Sequence, residues 1–282
     1  MRRFLLAFLI LGLFMSACAE ETATPAASGG GTEGGSSESG CDLGEPPLFK
    51  EGELTVATDR PAYPPWFEGS PKNYSGYEGE IANEIAERME LEVTWVVEPF
   101  NKSYAPGAKN YDFDINQISV TPERSEAVDF SDGYFQNNQG LLAPEGTPIT
   151  EASSLSELKD STLGAQVGTT SLSFINTKIQ PTNQVQVFDT TNDLKSALSS
   201  GQIDGFFTDV VTTVFLREYE IKASEVVGQY PTDEQFGMLF EKGNPLVGCV
   251  NEVLGEMTDD GTVKALQDEW LQDYLGVPEF SD

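Results

Sequence analysis

The sequence predicts an α/β protein of two lobes, each a mainly parallel sheet flanked by helices, with a hinge between them. Two observations carry this expectation. Short apolar runs of strand character alternate with stretches whose apolar residues recur at helical spacing, and the alternation occurs twice, on either side of a Pro- and Gly-containing stretch at Pro144 to Pro148. Strands that alternate with helices argue for parallel sheets rather than a sandwich or a bundle.

The elements follow in order. LTVAT at Leu54 to Thr58 is a short apolar strand, and Gly79 to Glu90 carries Ile81, Ala82, Ile85, Ala86 and Met89 on one helical face. Leu91, Val93, Trp95 and Val97 alternate with less apolar positions, as a half-buried strand requires. Tyr111 to Val120 is a further strand candidate, interrupted by Asn116 and Gln117. In the second series Ser154 and Glu157 have capping-box spacing before a short helix, Thr162 to Gln166 reads as a strand, and Gly168-Thr169-Thr170-Ser171 leads into a helix. Val185 to Phe188 is strand-like, Asn192 to Ser199 is helical with Gly201 as its stop, and Ile203 to Phe207 is the next strand. Gly237 to Phe240 is a last strand. One closing helix uses Leu246, Val247, Val250, Val253, Leu254 and Met257, and the other uses Val263, Leu266 and Trp270. Ligands in such folds sit beyond the carboxyl ends of strands, so polar loop residues should converge in a cleft between the lobes.

The N-terminus stands apart from the fold. MRRFLLAFLILGLF sets two arginines before an apolar run short for a bilayer span, the layout of an export signal. Met15-Ser16-Ala17-Cys18 then resembles a bacterial lipobox, although Met15 stands where leucine is more usual. The resemblance implies a signal peptide over 1–17, lipid attachment at Cys18 and an extracytoplasmic protein anchored to the cell membrane; a signal cut nearby or an uncleaved anchor are the alternatives. Residues 18–42, rich in Gly, Ser, Thr and Glu, should form a flexible tether. With Cys18 lipidated, Cys41 and Cys249 remain as a pair in an oxidising compartment. A disulfide between them is expected, worth about 4 to 5 kcal/mol in the ideal loop-closure model; two free thiols are the alternative.

The formal charge of −30 excludes a nucleic-acid partner, which would need a basic footprint. The chain contains no histidine, which removes the commonest general base and metal ligand and weighs against an enzyme; neither a cofactor nor a metal is expected.

The most specific stretch is Asp112 to Tyr134, DFDINQISVTPERSEAVDFSDGY. With LTVATDRPAYPPW at Leu54, GYEGEIANEIAERM at Gly76, SLSELKDSTLGAQVGTT at Ser154 and GQIDGFFTD at Gly201, it resembles the extracellular solute-binding proteins of polar amino acid ABC transporters. The resemblance covers essentially everything after the tether. It implies a periplasmic-binding-protein-like fold, an amino acid ligand, delivery to ABC permease subunits, no enzymatic activity and a monomer. An enzyme on the same fold, dehydratase-like, and a ligand-sensing module for a separate receptor are the rival readings.

An amino acid offers a carboxylate and an ammonium, so its binder needs a fork-shaped cation and a fixed anion. By resemblance Arg124, the arginine of TPER, takes the carboxylate, and Asp209, ending GQIDGFFTD, takes the ammonium. Arg124 could instead pair with Glu123 or Glu126, and Asp209 could be only a helix N-cap. Thr169 and Thr170, at a strand-to-helix junction, are expected to hold the carboxylate beside Arg124. Ser119 aligns with a ligand-contacting position, and Gln117 and Asn116 either line the specificity pocket or pack. Tyr63 and Phe100 align with aromatics that sandwich the ligand, with lobe core as their alternative, whereas Trp66 is expected in the core. Asp59 matches an acidic position that can hydrogen-bond a ligand side chain. The division expected is lobe 1 over 43–138 and 236–282, lobe 2 over 139–235, and crossings near Gln139 and Gln235 as the hinge.

Overall fold

The computed structural model describes Leu43 and residues 45–282. The expected signal peptide over 1–17 and tether over 18–42, with Cys18 and Cys41, lie outside the described residues. Along the chain the elements are β1 (Glu53–Thr58), α1 (Tyr77–Arg88), β2 (Glu92–Val97), α2 (Phe100–Ser103), β3 (Phe113–Asp114), α3 (Pro122–Ala127), β4 (Val128–Phe130) and β5 (Phe135–Pro144). They continue with β6 (Leu163–Gln166), α4 (Thr170–Phe174), β7 (Gln186–Phe188), α5 (Thr191–Ser199), β8 (Gly205–Asp209), α6 (Val210–Phe215), β9 (Ser224–Phe236), β10 (Leu239–Glu241), α7 (Leu246–Asp259) and α8 (Thr262–Trp270).

Two five-stranded sheets result, ordered β2-β1-β3-β10-β4 and β7-β6-β8-β5-β9. In the first, β1 pairs in parallel with β2 and β3, while β10 returns antiparallel between β3 and β4. In the second, β6 pairs in parallel with β7 and β8, while β5 runs antiparallel to β8 and β9. Each sheet therefore carries one reversed strand, β10 or β5, against neighbours of common direction. That is the mainly parallel arrangement the alternating pattern predicts.

The first sheet is held by the face of α1 that the spacing predicts. Ile81, Ala82, Ile85 and Ala86 pack with Leu54 and Val56 of β1, and α7 adds Val250, Val253 and Leu254 to the same cluster. Burying one such aliphatic side chain contributes about 1.5 to 3 kcal/mol. Cys249 is buried in this cluster. Gly76 opens α1 at φ 89°, where a Cβ would come within 2.6 Å of the Trp66 carbonyl oxygen, so only glycine fits. A second cluster joins Leu141 and Ala143 of β5 to Leu163, Ala165, Phe174 and Phe207. Among the described residues no helix is long and apolar enough to cross a membrane.

Three local departures from the sequence expectation have physical causes. The Tyr111–Val120 strand contracts to Phe113–Asp114, because the chain leaves the sheet towards Glu78, which accepts the backbone N–H of Gln117 at 2.7 Å. The Ser154 capping-box segment forms a 3₁₀ turn, Leu155–Leu158, rather than an α-helix. The C-terminus, expected with the first lobe, runs along the free edge of β9 in the second sheet: Phe280 N donates to Gln229 O at 2.9 Å and Gln229 N to Pro278 O at 2.8 Å. The Phe280 ring, buried in the second cluster, covers Gly228. An edge strand left with unpaired backbone groups explains why the tail docks there.

Candidate functional site

The carboxyl ends of the parallel strands from both sheets converge on a cleft. Asp59, Tyr63, Phe100, Gln117, Ser119, Arg124, Thr169, Thr170 and Asp209 all line it, together with Asn116. The structure thus brings every residue singled out for ligand contact to one cavity, from segments far apart in the chain.

Arg124 sits in the first turns of α3, where Thr121 caps the helix by accepting the Arg124 backbone N–H at 3.2 Å and Pro122 opens it. The residue is 8 % exposed. Its guanidinium lies over the Tyr104 ring at 4.9 Å and the Phe100 ring at 5.5 Å. It donates to the Ser119 carbonyl at 2.7 Å and to the Gly168 carbonyl at 2.9 Å, across the cleft. Neither expected alternative partner, Glu123 or Glu126, forms an ion pair with it, and no ion pair among the described residues includes Arg124. Burial lowers its pKa, with Tyr104, Glu234 and Glu123 opposing. A cation so desolvated, with donors still uncommitted, is suited to a carboxylate in two parallel hydrogen bonds. Gly168 makes the approach feasible: its φ is 74° and a Cβ there would fall 1.8 Å from the Tyr104 hydroxyl.

Asp209 both caps a helix and lines the cleft. One oxygen caps α6 by accepting the Thr212 N–H at 2.7 Å, and the residue also faces the cleft. Burial raises its pKa despite hydrogen bonds from Thr212 and Thr208, and no ion pair among the described residues includes it. Arg124 and Asp209 therefore present opposite, uncompensated charges to the same cavity. Trp66 is fully buried in the first core as expected, yet its indole N–H donates to Thr212 Oγ1 at 3.0 Å, which ties that core to the Asp209 cap.

The remaining residues divide by what their polar atoms already do. Thr169 caps α4, accepting the Leu172 N–H at 3.1 Å and donating to Gln166 O at 2.8 Å, so its hydroxyl is spent locally rather than aimed at a carboxylate. The hydroxyls of Ser119 and Thr170 each lie 3.0 Å from Glu234 Oε2. Asp59 accepts N–H groups from Arg60 at 2.5 Å and Phe100 at 3.2 Å, and burial raises its pKa. Phe100 supports Arg124 from below as well as lining the cleft. Tyr63 reaches across to Asn192, its hydroxyl 3.0 Å from Oδ1. Gln117 adopts φ 47°, a left-handed conformation uncommon outside glycine, and Glu78 holds it there through its backbone N–H and its side-chain amide. Burial pushes the Glu78 carboxyl up to about 8, although hydrogen bonds from Tyr134 and Gln117 pull it down.

Sequence reading missed Glu78, Asn137, Gln139 and Glu234. Asn137 and Gln139, buried in β5, are joined to Glu234 by hydrogen bonds of 3.2 and 2.9 Å. Asn116 Nδ2 and Asn137 Oδ1 are buried without a partner among the described residues, and both side chains line the cleft. Such orphans in a polar cavity mark groups that a ligand can satisfy. The described residues contain no cluster of His, Cys, Asp or Glu able to hold a metal ion.

Comparison with known proteins identifies relatives of the whole folded region. Residues 54–273 match the profile of the bacterial extracellular solute-binding proteins, family 3. The chain is 30% identical over 203 residues to the ABC transporter glutamine-binding protein GlnH of Bacillus subtilis (strain 168), covering 70% of this chain and 73% of that one. It is 28% identical over 225 residues to the L-cystine-binding protein TcyJ of Escherichia coli (strain K12), covering 79% and 84%. An ancestral arginine-binding protein bound to glutamine superposes with a TM-score of 0.70 at 27% identity, covering 79% of this chain and 99% of that one.

Proposed function

The chain belongs to family 3 of the bacterial extracellular solute-binding proteins, and we propose that it captures a polar amino acid in its cleft and delivers it to the permease of an ABC importer. The observation that carries this reading is the pair of uncompensated charges, Arg124 and Asp209, facing one cavity from elements attached to different sheets. Arg124 takes the α-carboxylate and Asp209 the α-ammonium. Phe100 and Tyr63 supply apolar walls, and Asn116 and Asn137 satisfy their orphan atoms on the ligand. The named relatives are binding proteins, which disfavours an enzyme on the same fold.

Capture is coupled to a hinge motion. Lobe 1 comprises 43–138 with 236–276, lobe 2 comprises 139–235 with the C-terminal residues that dock on β9, and β5 and β9 cross between them. Arg124 and Asp209 approach the ligand from opposite sides, so each binds best when the lobes are closed. The closed form is what the permease recognises.

The protein works as a monomer outside the cytoplasm, lipid-anchored at Cys18, with a Cys41–Cys249 disulfide tying the start of the folded region to α7. Mass spectrometry of the mature protein without reductant checks both: the expected result is a lipidated Cys18 and no free thiol. The binding function is tested by a thermal-shift screen against the twenty amino acids. At least one should raise the midpoint in a dose-dependent way, and no stabilisation by any of them would reject the reading.

A further inference from the structure

We propose that Glu234, on β9, is a specificity-determining residue that makes one wall of the cleft accept hydrogen bonds and so excludes ligands with a second carboxylate. The inference rests on the reading of the cleft as an amino acid site. Four side chains donate to this carboxylate: Ser119 Oγ and Thr170 Oγ1, each at 3.0 Å, Asn137 Nδ2 at 3.2 Å and Gln139 Nε2 at 2.9 Å.

The consequence follows from donor counting. A carboxylate only accepts, and a hydroxyl has one proton to give. Ser119 and Thr170 spend theirs on Glu234 and have none left for the cavity they line, and Thr170 Oγ1 also accepts from Gln139 Nε2 at 3.3 Å. Asn137 directs its amide nitrogen at Glu234, so its Oδ1 points elsewhere, and that oxygen is buried without a partner among the described residues. Gln139 is locked in the same sense, because its Oε1 accepts from Ser171 Oγ at 2.6 Å. Ser119 and Thr170 are thereby left with no proton for a ligand, Asn137 turns its acceptor oxygen away from Glu234, and Gln139 is spent on both ends.

The ligand chemistry that fits is an N–H or O–H donor beside Arg124: an amide, hydroxyl, ammonium or guanidinium. With the hydroxyls of Thr169, Thr170 and Ser119 committed elsewhere, the α-carboxylate is left to Arg124 and to the one orphaned amide donor in the cleft, Asn116 Nδ2. A second carboxylate at this wall would meet the oxygens of Ser119, Thr170 and Asn137, with Asp59 and Asp209 lining the same cleft and Glu234 directly behind the wall, and like charges brought together cost enough to reject a ligand.

Calorimetric titration of wild type and Glu234→Gln against all twenty amino acids tests this. Wild type should bind asparagine or glutamine in preference to aspartate or glutamate. In Glu234→Gln the affinity for the acidic member should rise at least about tenfold relative to its amide. Circular dichroism verifies the fold of the variant; if it does not fold, Glu234→Asp, which withdraws the carboxylate from its donors, should shift the ratio in the same direction. An unchanged acid-to-amide ratio with other amino acids still bound overturns the role of Glu234 and leaves the cleft reading intact. Absence of binding by wild type to every amino acid overturns both.

Discussion

The hydroxyl of Tyr63, in the loop after β1, donates to Oδ1 of Asn192 in α5 at 3.0 Å and so spans the mouth of the cleft. The ring packs against the core of the second sheet and carries Lys195 at 5.2 Å from its centroid. A residue expected to stack on a ligand is therefore also a latch between segments that the proposed hinge motion parts.

Tyr63→Phe keeps the ring and removes the latch. A neutral hydrogen bond contributes about 0.5 to 1.5 kcal/mol, so ligand should dissociate roughly two- to tenfold faster with little change in association. Stopped-flow displacement measures this, and an unaltered off-rate would remove the latch from the account.

Asp209→Asn separates the two tasks of that carboxylate. Asparagine caps helices about as well as aspartate, so the thermal midpoint should change little. Affinity for an amino acid should fall much more than affinity for the same ligand lacking its ammonium. Equal losses for both ligands would assign Asp209 to the cap alone.

Glu78 gives the folded protein a pH signature. Its carboxyl, raised by burial from 4.5 to about 8, is favoured in the neutral form when folded. Its stabilising contribution is full below about pH 4.5 and is lost as the pH rises through 8, at about 1.4 kcal/mol for each pH unit crossed between those two values. Glu78→Gln should flatten the fall in melting temperature between pH 5 and pH 8, leaving the smaller part due to Asp114, which burial raises to about 7. Parallel melting curves for variant and wild type across that range would contradict the assignment.

Most of the scaffold is legible in the sequence because its periodicity matches its burial. The buried face of α1, the closing helix α7 and the strands at Leu54 and Leu163 bury the residues that their spacing picks out. The long crossing strands β5 and β9 are invisible to the same reasoning. β5 reads FQNNQGLLAP and turns Asn137 and Gln139 inward, where alternation would demand apolar residues, because their partner is Glu234 on β9. Periodicity alone reads such polar residues as loop; only the paired register brings the amides to the carboxylate. The site follows the same division. Arg124 and Asp209 stand out by motif, whereas Glu78 and Glu234 act through contacts to residues 39 and at least 64 positions away in sequence. The C-terminal tail departs from its expected lobe because nothing in its composition announces that Phe280 will cover a glycine on a distant strand edge.

In the proposed binding mode the ligand depends most on Arg124, the buried arginine that grips its carboxylate. Isothermal titration calorimetry of the bound amino acid against wild type and Arg124→Ala tests it most directly, with circular dichroism to verify the fold. Removing one partner of a buried charge pair costs about 2 to 5 kcal/mol, so affinity should fall by at least about thirtyfold, to the edge of detection. Binding by folded Arg124→Ala within about threefold of wild type, a difference under about 1 kcal/mol, would contradict the account.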